Sequence, residues 1–281
     1  MSGGITLCAC AKLNLFLEIT GRRGDGYHLL ETVMQSVDLC DYVTVALGGA
    51  GIAVGCSDPK IPVGESNICH KAARVFFDRA NIRSGAEIMI EKRIPSGAGM
   101  GGGSADAAAV LFGLNALCGE PLDEGALLDL AAEIGADVPF CLVGGTKLCR
   151  GIGEIMTELP AAPECCFLVA KPEHSCPTGE AFARYDTQEI PPRGMPSEYS
   201  SGIFPHEKMY NVFRRLYDDE RIERLVVKML ECGALGAELT GSGSAVFGVF
   251  SDENAAARAA GEFTDVFTAV CRPSAFGVRI I

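Results

Sequence analysis

The most constraining feature of this chain is a glycine-rich segment, Pro95–Ala109, between a strand-like run and an alanine-rich run typical of a helix. Five glycines fall within seven of its positions, namely Gly97, Gly99, Gly101, Gly102 and Gly103. Because glycine has no Cβ, backbone N–H groups can converge there and a ligand can approach closely. A helix that starts directly afterwards adds unpaired N–H groups and the positive end of its dipole. This first glycine segment therefore predicts a phosphate-binding loop, with Ser104 as helix N-cap, rather than a flexible linker.

Two known nucleotide-binding motifs match this segment only in part. Gly97, Gly99 and Gly102 fit the dinucleotide fingerprint, but that motif needs an acidic residue at the end of a second strand. Asp123 lies at a suitable distance and begins a helix instead. The Walker A spacing is also present, but Gly103 stands where that motif requires lysine. If the segment holds triphosphate, the cation opposite must come from elsewhere in the chain.

Composition narrows the class of protein. The 281 residues suffice for two domains without metals or disulfides, and thirteen cysteines with no C-x-x-C pair predict reduced thiols. The chain shows neither a membrane-length uncharged run nor a secretory signal pattern, so we expect a cytoplasmic protein. A net charge of −12 argues against nucleic-acid and membrane partners but is compatible with a phosphorylated small molecule.

Hydrophobic periodicity predicts strands separated by helices, an α+β organisation without internal repeats. In the first half, strands are predicted over residues 5–19, around residues 43–45 and over residues 87–94, with helices that begin at Ser66, Ser104 and Asp123. Proline-rich breaks indicate a domain boundary near residues 155–163 and a long loop near residues 186–205. In the second half, the pattern predicts strands at Cys166–Lys171 and Ala245–Phe250, a further strand between Cys232 and Ala245, two final strands, and helices at Pro177–Tyr185, Glu207–Tyr217, Asp219–Cys232 and Asp252–Phe263.

Several polar residues allow two interpretations each. Lys12, in an apolar strand, is either a solvated edge residue or the missing phosphate-facing cation. Asp137, between a helix end and an apolar run, either caps a turn or accepts a hydroxyl proton in phosphoryl transfer. A second glycine segment, Leu239–Phe247, is either a hairpin turn or a further phosphate-facing element. Tyr27 and His28, after a turn, are either surface residues or nucleobase contacts.

Five segments, in this order, resemble the GHMP kinase superfamily: Ala11–Leu15, Asp25–His28, Pro95–Ala108, Gly135–Phe140 and Leu239–Ser244. The resemblance covers nearly the whole chain and is weakest between residues 186 and 235. It implies an ATP-dependent small-molecule kinase of α+β class, with an ATP-binding, ribosomal-protein-S5-like domain (residues 1–158) and a ferredoxin-like, substrate-side domain (residues 159–281). The Lys-Leu-Asn and Asp-Gly-Tyr-His elements resemble the branch that phosphorylates the 2-hydroxyl of diphosphocytidyl methylerythritol in the non-mevalonate isoprenoid route.

The resemblance also implies roles for individual residues. Lys12 and Asp137 would form the catalytic pair, with Asp137 as base and Lys12 as electrostatic stabiliser. ATP would contact Asn67, Lys92, Pro95, Ser96, Gly97, Ala98, Gly99, Met100, Gly101, Gly102, Gly103, Ser104 and Ala105. The acceptor would contact Asn14 on its erythritol side, Tyr27, His28 and Phe182 at the cytosine, and also Thr240 and Gly241. Ser104 would bind Mg²⁺, and we expect a monomer or weak homodimer.

The chain departs from the family pattern at three places. Met34 stands where relatives often carry an aromatic residue, the run Ser96–Met100 is a mild variant, and the acidic residue often found after Asn211 is absent. No second Mg²⁺ ligand is evident in the sequence. The alternative functions are a mevalonate- or homoserine-type kinase, a nucleotide-binding module without catalysis, and a Rossmann oxidoreductase. Tyr27-His28 argues against the first of these, and the presence of both Lys12 and Asp137 argues against the second.

Overall fold

The structure, a computed structural model, describes residues 3–201, 204–217 and 219–281. Its strands are Ile5–Arg22 (β1), His28–Leu47 (β2), Ile52–Cys56 (β3), Ala86–Glu91 (β4), Thr146–Arg150 (β5), Ile155–Glu158 (β6), Cys166–Lys171 (β7), Tyr210–Asn211 (β8), Gly236–Leu239 (β9), Val246–Phe250 (β10), Phe267–Cys271 (β11) and Val278–Ile280 (β12). Its α-helices are Ile68–Ala80 (α1), Gly102–Leu117 (α2), Glu124–Ile134 (α3), Val138–Val143 (α4), Thr178–Tyr185 (α5), Val212–Leu216 (α6), Glu220–Glu231 (α7) and Glu253–Ala260 (α8). The α+β prediction is confirmed.

Two sheets organise these elements. The larger sheet follows the order β12-β1-β2-β4-β3, with β5 paired to β2, β6 to β5 and β8 to β1. The smaller sheet is antiparallel, in the order β11-β7-β10-β9. After β6 ends at Glu158, the chain enters the smaller sheet at Cys166, and it returns when β12 pairs with Leu7–Ala9 of β1. The final strand therefore belongs to the larger sheet.

The alanine-rich composition of α2 follows from where the helix lies. Its residues 105–111 are at most 3% exposed, and α2 packs against both long strands β1 and β2. A Cβ at Gly113 would lie only 2.9 Å from Leu7 Cδ1, so small residues permit this close approach. Burial on nearly all sides holds α2 firmly in the core and thereby fixes the end of the glycine loop that precedes it.

Two helix starts differ from the sequence prediction. The N-cap of α1 is Asn67, not Ser66, because the Asn67 side chain accepts a hydrogen bond from Cys69 N at 2.8 Å. The N-cap of α2 is Gly101, not Ser104, because Gly101 takes a left-handed conformation (φ +71°) that lets the helix start at Gly102. Asp123 is confirmed as the N-cap of α3.

The predicted helix over Glu207–Tyr217 is wrong. That stretch contains a 3₁₀ turn at His206–Lys208, strand β8 and the short helix α6. Tyr210 and Asn211 pair in parallel with Phe16 and Leu17 of β1, and the Asn211 side chain then caps α6 through Phe213 N at 2.9 Å. Pairing with a distant strand thus overrides the local helical pattern.

In the described part of the chain, no helix is both long and apolar enough to cross a membrane.

Candidate active site

One cavity of about 1090 Å³ brings the predicted site residues together. It lies between the first glycine segment, the C-terminal half of β1, the N-terminal end of β2, the start of α4 and the second glycine segment. Every predicted site residue lines it except Ala105 and Thr240, which are fully buried behind the surface. Residues from distant parts of the chain therefore converge on one space, as the catalytic interpretation of Lys12 and Asp137 requires.

The loop part of the first glycine segment, residues 95–101 (loop 95–101), alternates glycines with buried apolar residues. Gly97, Gly99 and Gly101 have φ angles of +64°, +76° and +71°, which side-chain-bearing residues rarely adopt. Between them, Ala98 and Met100 are almost fully buried. Two backbone hydrogen bonds secure the loop, from Lys12 N to Met100 O at 3.0 Å and from Ala245 N to Ala98 O at 3.2 Å. The alternation keeps the loop anchored while its glycines lie at the cavity.

Lys12 is a buried cation rather than a solvated edge residue. It is 4% exposed on β1, where Ser36 of β2 lies opposite on one side and the Lys12 N–H is bonded to Met100 O on the other. Its Nζ donates to Asn14 Oδ1 at 2.7 Å and lies 3.5 Å from Asp137 Oδ2. Its alkyl chain lies under the loop, because a Cβ at Gly101 would be 3.0 Å from Lys12 Cγ. The cation missing from the glycine motif thus lies beside the loop.

Asp137 occupies the N-cap position of α4, but its side chain makes no capping hydrogen bond. The side chain is 32% exposed at the cavity, and its charged partner is Lys12. A capping role therefore does not account for this carboxylate. Its position, partly solvated and next to an ammonium, suits a group that must meet a substrate hydroxyl.

Asn14 connects Lys12 to the second glycine segment. Its Oδ1 accepts hydrogen bonds from Lys12 Nζ and from Gly241 N at 2.9 Å, and its Nδ2 donates to Thr32 Oγ1 at 2.9 Å. Thr240 Oγ1 accepts from Asn14 N at 3.1 Å. Asn14 is 0% exposed, and its amide oxygen is bonded directly to the Lys12 ammonium. Its contact with an acceptor stays a prediction, as do those of Thr240 and Gly241.

The second glycine segment forms the turn of the β9–β10 hairpin. Ser244 Oγ donates to His174 O at 2.5 Å and Ser242 Oγ to Cys176 O at 3.3 Å, so both hydroxyls are engaged by neighbouring backbone. Asn211 Nδ2 donates to the carbonyls of Leu239 and Gly241, at 2.8 and 2.9 Å. The predicted hairpin turn is therefore present, and the hydroxyls of Thr240, Ser242 and Ser244 are bonded to protein partners.

Lys92 lies at the cavity, but its charge is already matched. Its Nζ donates to Asp41 and, at 2.6 Å, to Asp106 Oδ2. Burial acts to lower the pKa of Lys92, but the Asp106 and Asp41 carboxylates outweigh it and raise that pKa. Burial also raises the pKa of Asp106 well above its usual range. Sequence reasoning missed Asp41, because a single aspartate in a strand carries no motif.

The predicted nucleobase contacts Tyr27, His28 and Phe182 (the aromatic cluster) all line the cavity, and the rings of His28 and Phe182 contact each other. Asp25 Oδ1 accepts from Tyr27 N at 3.2 Å, and the Tyr27 side chain projects outward, with the residue 60% exposed. The His28 ring stacks on Phe182, with centroids 4.7 Å apart and planes 15° apart. His28 Nε2 also lies 2.7 Å from Asp186 Oδ1, and this hydrogen bond lowers the pKa of Asp186. Asp186, which fixes the imidazole, was missed by sequence reasoning.

Met34 stands at the position where the family resemblance implied an aromatic residue. Its side chain is 1% exposed and packs with Phe140, Cys149 and Met156, while still contributing to the cavity wall. The cavity therefore has an apolar, non-aromatic surface on this side.

Comparison with protein families gives two matches. Residues 67–145 match the GHMP kinases N terminal domain, and residues 201–269 match the GHMP kinases C terminal domain. The first match contains the first glycine segment and Asp137, and the second contains the second glycine segment.

Individual proteins are also similar over nearly their full length. The chain is 40% identical over 260 residues to 4-diphosphocytidyl-2-C-methyl-D-erythritol kinase from Acetivibrio thermocellus, covering 90% of this chain and 92% of that protein. It is 41% identical over 263 residues to the protein of that name from Caldicellulosiruptor saccharolyticus, covering 90% and 91%. A crystal structure of 4-(cytidine 5'-diphospho)-2C-methyl-D-erythritol kinase superposes with a TM-score of 0.79 at 31% identity, covering 96% of this chain and all of that one.

Proposed function

Since the chain belongs to the GHMP kinase family and is a small-molecule kinase that uses ATP, we propose that its acceptor is 4-diphosphocytidyl-2-C-methyl-D-erythritol, phosphorylated at the 2-hydroxyl. The observation that carries this proposal is the single cavity shared by the Lys12–Asp137 pair, loop 95–101 and the aromatic cluster of Tyr27, His28 and Phe182. A kinase for a cytidine-bearing alcohol needs all three parts within reach of one substrate. The names of the similar proteins point to the same acceptor.

Direct phosphoryl transfer would use Asp137 and Lys12 in different roles. Asp137 would accept the proton of the acceptor's 2-hydroxyl while the hydroxyl oxygen attacks the γ-phosphorus of ATP. The bond between the γ-phosphorus and the oxygen that bridges it to the β-phosphorus would break, and ADP would leave. The ammonium of Lys12 would stabilise negative charge on the attacking oxygen and on the transferring phosphoryl group. The 3.5 Å separation of Lys12 Nζ and Asp137 Oδ2 supports this division, because one hydroxyl can lie near both.

Loop 95–101 and the start of α2 would hold the phosphates of ATP. Left-handed glycines and the exposed N–H groups of a helix N-terminus bind anions without a lysine within the loop itself. Lys12 supports this arrangement, because its buried side chain lies next to Gly101 and brings a positive charge to the loop from the protein side.

The residues near α2 fit Mg²⁺ that is held mainly by phosphate oxygens and water. Ser104 offers a hydroxyl at the cavity, and the nearby Asp106 Oδ1 is a buried oxygen without a hydrogen-bond partner in the described structure. Mg²⁺ at phosphate-transfer sites is commonly bound by one or two protein ligands together with substrate phosphates and water. We therefore propose Ser104 as a ligand. When bound, the ion would neutralise charge on the β- and γ-phosphates.

The aromatic cluster would recognise the cytosine. Tyr27 offers an exposed ring, and His28, fixed by Asp186, offers a hydrogen-bonding edge. Because Phe182 already stacks on His28, the base would stack on Tyr27 or displace the imidazole from Phe182.

An ADP-release assay with a panel of alcohols tests the acceptor. We expect turnover with 4-diphosphocytidyl-2-C-methyl-D-erythritol and kcat/KM values at least about 100-fold lower with mevalonate and homoserine. Tyr27→Ala should raise KM for the cytidine-bearing acceptor more than KM for ATP. Comparable turnover of mevalonate or homoserine would contradict the proposed acceptor, and equal effects of Tyr27→Ala on both KM values would contradict the proposed cytosine contact.

A further inference from the structure

Asp41 holds the entry to loop 95–101. This residue of β2 is 0% exposed, and its Oδ1 accepts hydrogen bonds from Arg93 N at 2.5 Å and Ile94 N at 2.8 Å. These two N–H groups belong to the residues between the end of β4 and Pro95, where the chain has left the sheet and strand pairing no longer satisfies them. A buried carboxylate with two backbone donors fixes the direction in which the chain enters the loop.

Lys92 connects this entry to the exit of the loop. Its Nζ donates both to Asp41 Oδ2 and to Asp106 Oδ2, and Asp106 lies in the first turns of α2, 3% exposed. The ammonium also passes close to the first residue of α2, since a Cβ at Gly102 would lie 3.4 Å from Lys92 Nζ and 3.1 Å from Ile94 Cγ2. One side chain therefore contacts the groups that hold both ends of the loop.

We infer that Asp41, Lys92 and Asp106 form a buried clamp whose function is to hold loop 95–101 in its nucleotide-binding conformation, with Asp41 as a positioning residue for the kinase reaction. The loop needs such support because three of its seven residues are glycines in left-handed conformations, which are free to adopt many others. The Lys92 ammonium already contacts two buried carboxyl groups, so this lysine acts on the nucleotide chiefly through the loop.

This inference rests on the kinase activity of the chain but not on the identity of its acceptor. The test therefore measures nucleotide binding without acceptor, by calorimetry with a non-hydrolysable ATP analogue and Mg²⁺. Asp41→Asn should weaken binding at least about tenfold, because it removes a charge-assisted hydrogen bond at the loop entry. Asp38→Asn is the control with the same chemical change on the same strand. Asp38 is exposed and accepts a hydrogen bond from Arg272 N, which does not belong to the loop or to the clamp.

Two further readouts separate positioning from general stability. Hydrogen exchange of Asp41→Asn should be faster in peptides that cover residues 93–105 and unchanged in the second sheet. KM for the acceptor, measured well below the melting temperature, should stay within about twofold. A double-mutant cycle of Asp41→Asn with Lys92→Met should show that the second change adds little to the first, because both remove the same clamp.

Asp41→Asn with unchanged nucleotide affinity, or additive effects in the cycle, would overturn the inference. If Asp41→Asn does not fold, Lys92→Met and Asp106→Asn test the inference instead. Both variants should weaken nucleotide binding and speed hydrogen exchange at residues 93–105. Unchanged nucleotide affinity in both variants would overturn the inference. The nucleotide-binding measurements contain no acceptor, so they would give the expected results even if the proposed acceptor were wrong. Failure of the clamp inference is therefore distinguishable from failure of the proposed acceptor.

Discussion

The two glycine segments are similar in composition and lie against each other, but they are built for different contacts. Loop 95–101 is held from behind, by Lys12 N and the clamp of Asp41, Lys92 and Asp106, and leaves its glycines at the cavity. The hydroxyls of the second segment are bonded to neighbouring protein groups. A glycine-rich run therefore indicates a close approach to the backbone, but the run by itself does not show whether a ligand or another part of the protein makes that approach.

At one point the partner is the other segment itself. A Cβ at Gly99 would lie 2.1 Å from Thr240 O, and a Cβ at Gly241 would lie 2.6 Å from Gly99 O. The hairpin turn thus packs backbone to backbone on the loop and, through Asn14, reaches Lys12. The second segment therefore packs on the first through its backbone, while Gly97, Gly99 and Gly101 of the first and Gly241 of the second all line the cavity.

The largest effect is expected where the segments meet. Gly99→Ala places a methyl group against the Thr240 carbonyl at a position with φ +76°, so both sterics and backbone conformation oppose it. We expect the free energy of unfolding to fall by about 3 kcal/mol or more, measured by urea denaturation. Gly103→Ala is the control for stability: it lies in α2, and its nearest neighbour would be Ile68 Cγ2 at 3.7 Å. Equal stabilities of the two variants would contradict the close packing.

A smaller effect should separate positioning from phosphate binding. Thr240→Val keeps the shape of the side chain but removes the hydroxyl that accepts from Asn14 N, so Lys12 loses part of its support. We expect kcat to fall about tenfold, with KM for ATP within about twofold of wild type. Steady-state kinetics would contradict a positioning role if KM for ATP rose and kcat did not change.

The smallest effect concerns pH near the second segment. Burial raises the pKa of Glu238, next to Leu239 on β9, to about 7, although Arg214 acts in the opposite direction. The folded protein then holds this proton more tightly than the unfolded chain, so the stabilisation is present below the unfolded pKa and is lost as pH rises through about 7. The melting temperature should fall across this window, and Glu238→Gln should flatten the fall. An unchanged pH profile in that variant would contradict this assignment.

The family resemblance was sufficient to predict which distant residues meet at the cavity. Lys12 and Asp137 are far apart in the chain, yet the family resemblance implied that both face the first segment, and they lie 3.5 Å apart in the cavity that this segment lines, with Lys12 next to Gly101. The α+β class and most element positions followed from apolar periodicity.

Residues whose role depends on tertiary contacts were beyond the sequence. Asp41 and Asp186 are single carboxylates without a motif, and their importance appears only when Lys92 and His28 are brought to them. The Glu207–Tyr217 helix failed for the same reason, because β8 forms by pairing with β1 far away in the chain.

The most direct test is to measure turnover and nucleotide affinity together for Asp137→Asn, which keeps the shape of the side chain but cannot accept the hydroxyl proton. If Asp137 and Lys12 carry out phosphoryl transfer to an acceptor beside loop 95–101, kcat should fall at least about 100-fold while the Kd of an ATP analogue stays within about threefold. A kcat near the wild-type value would contradict this.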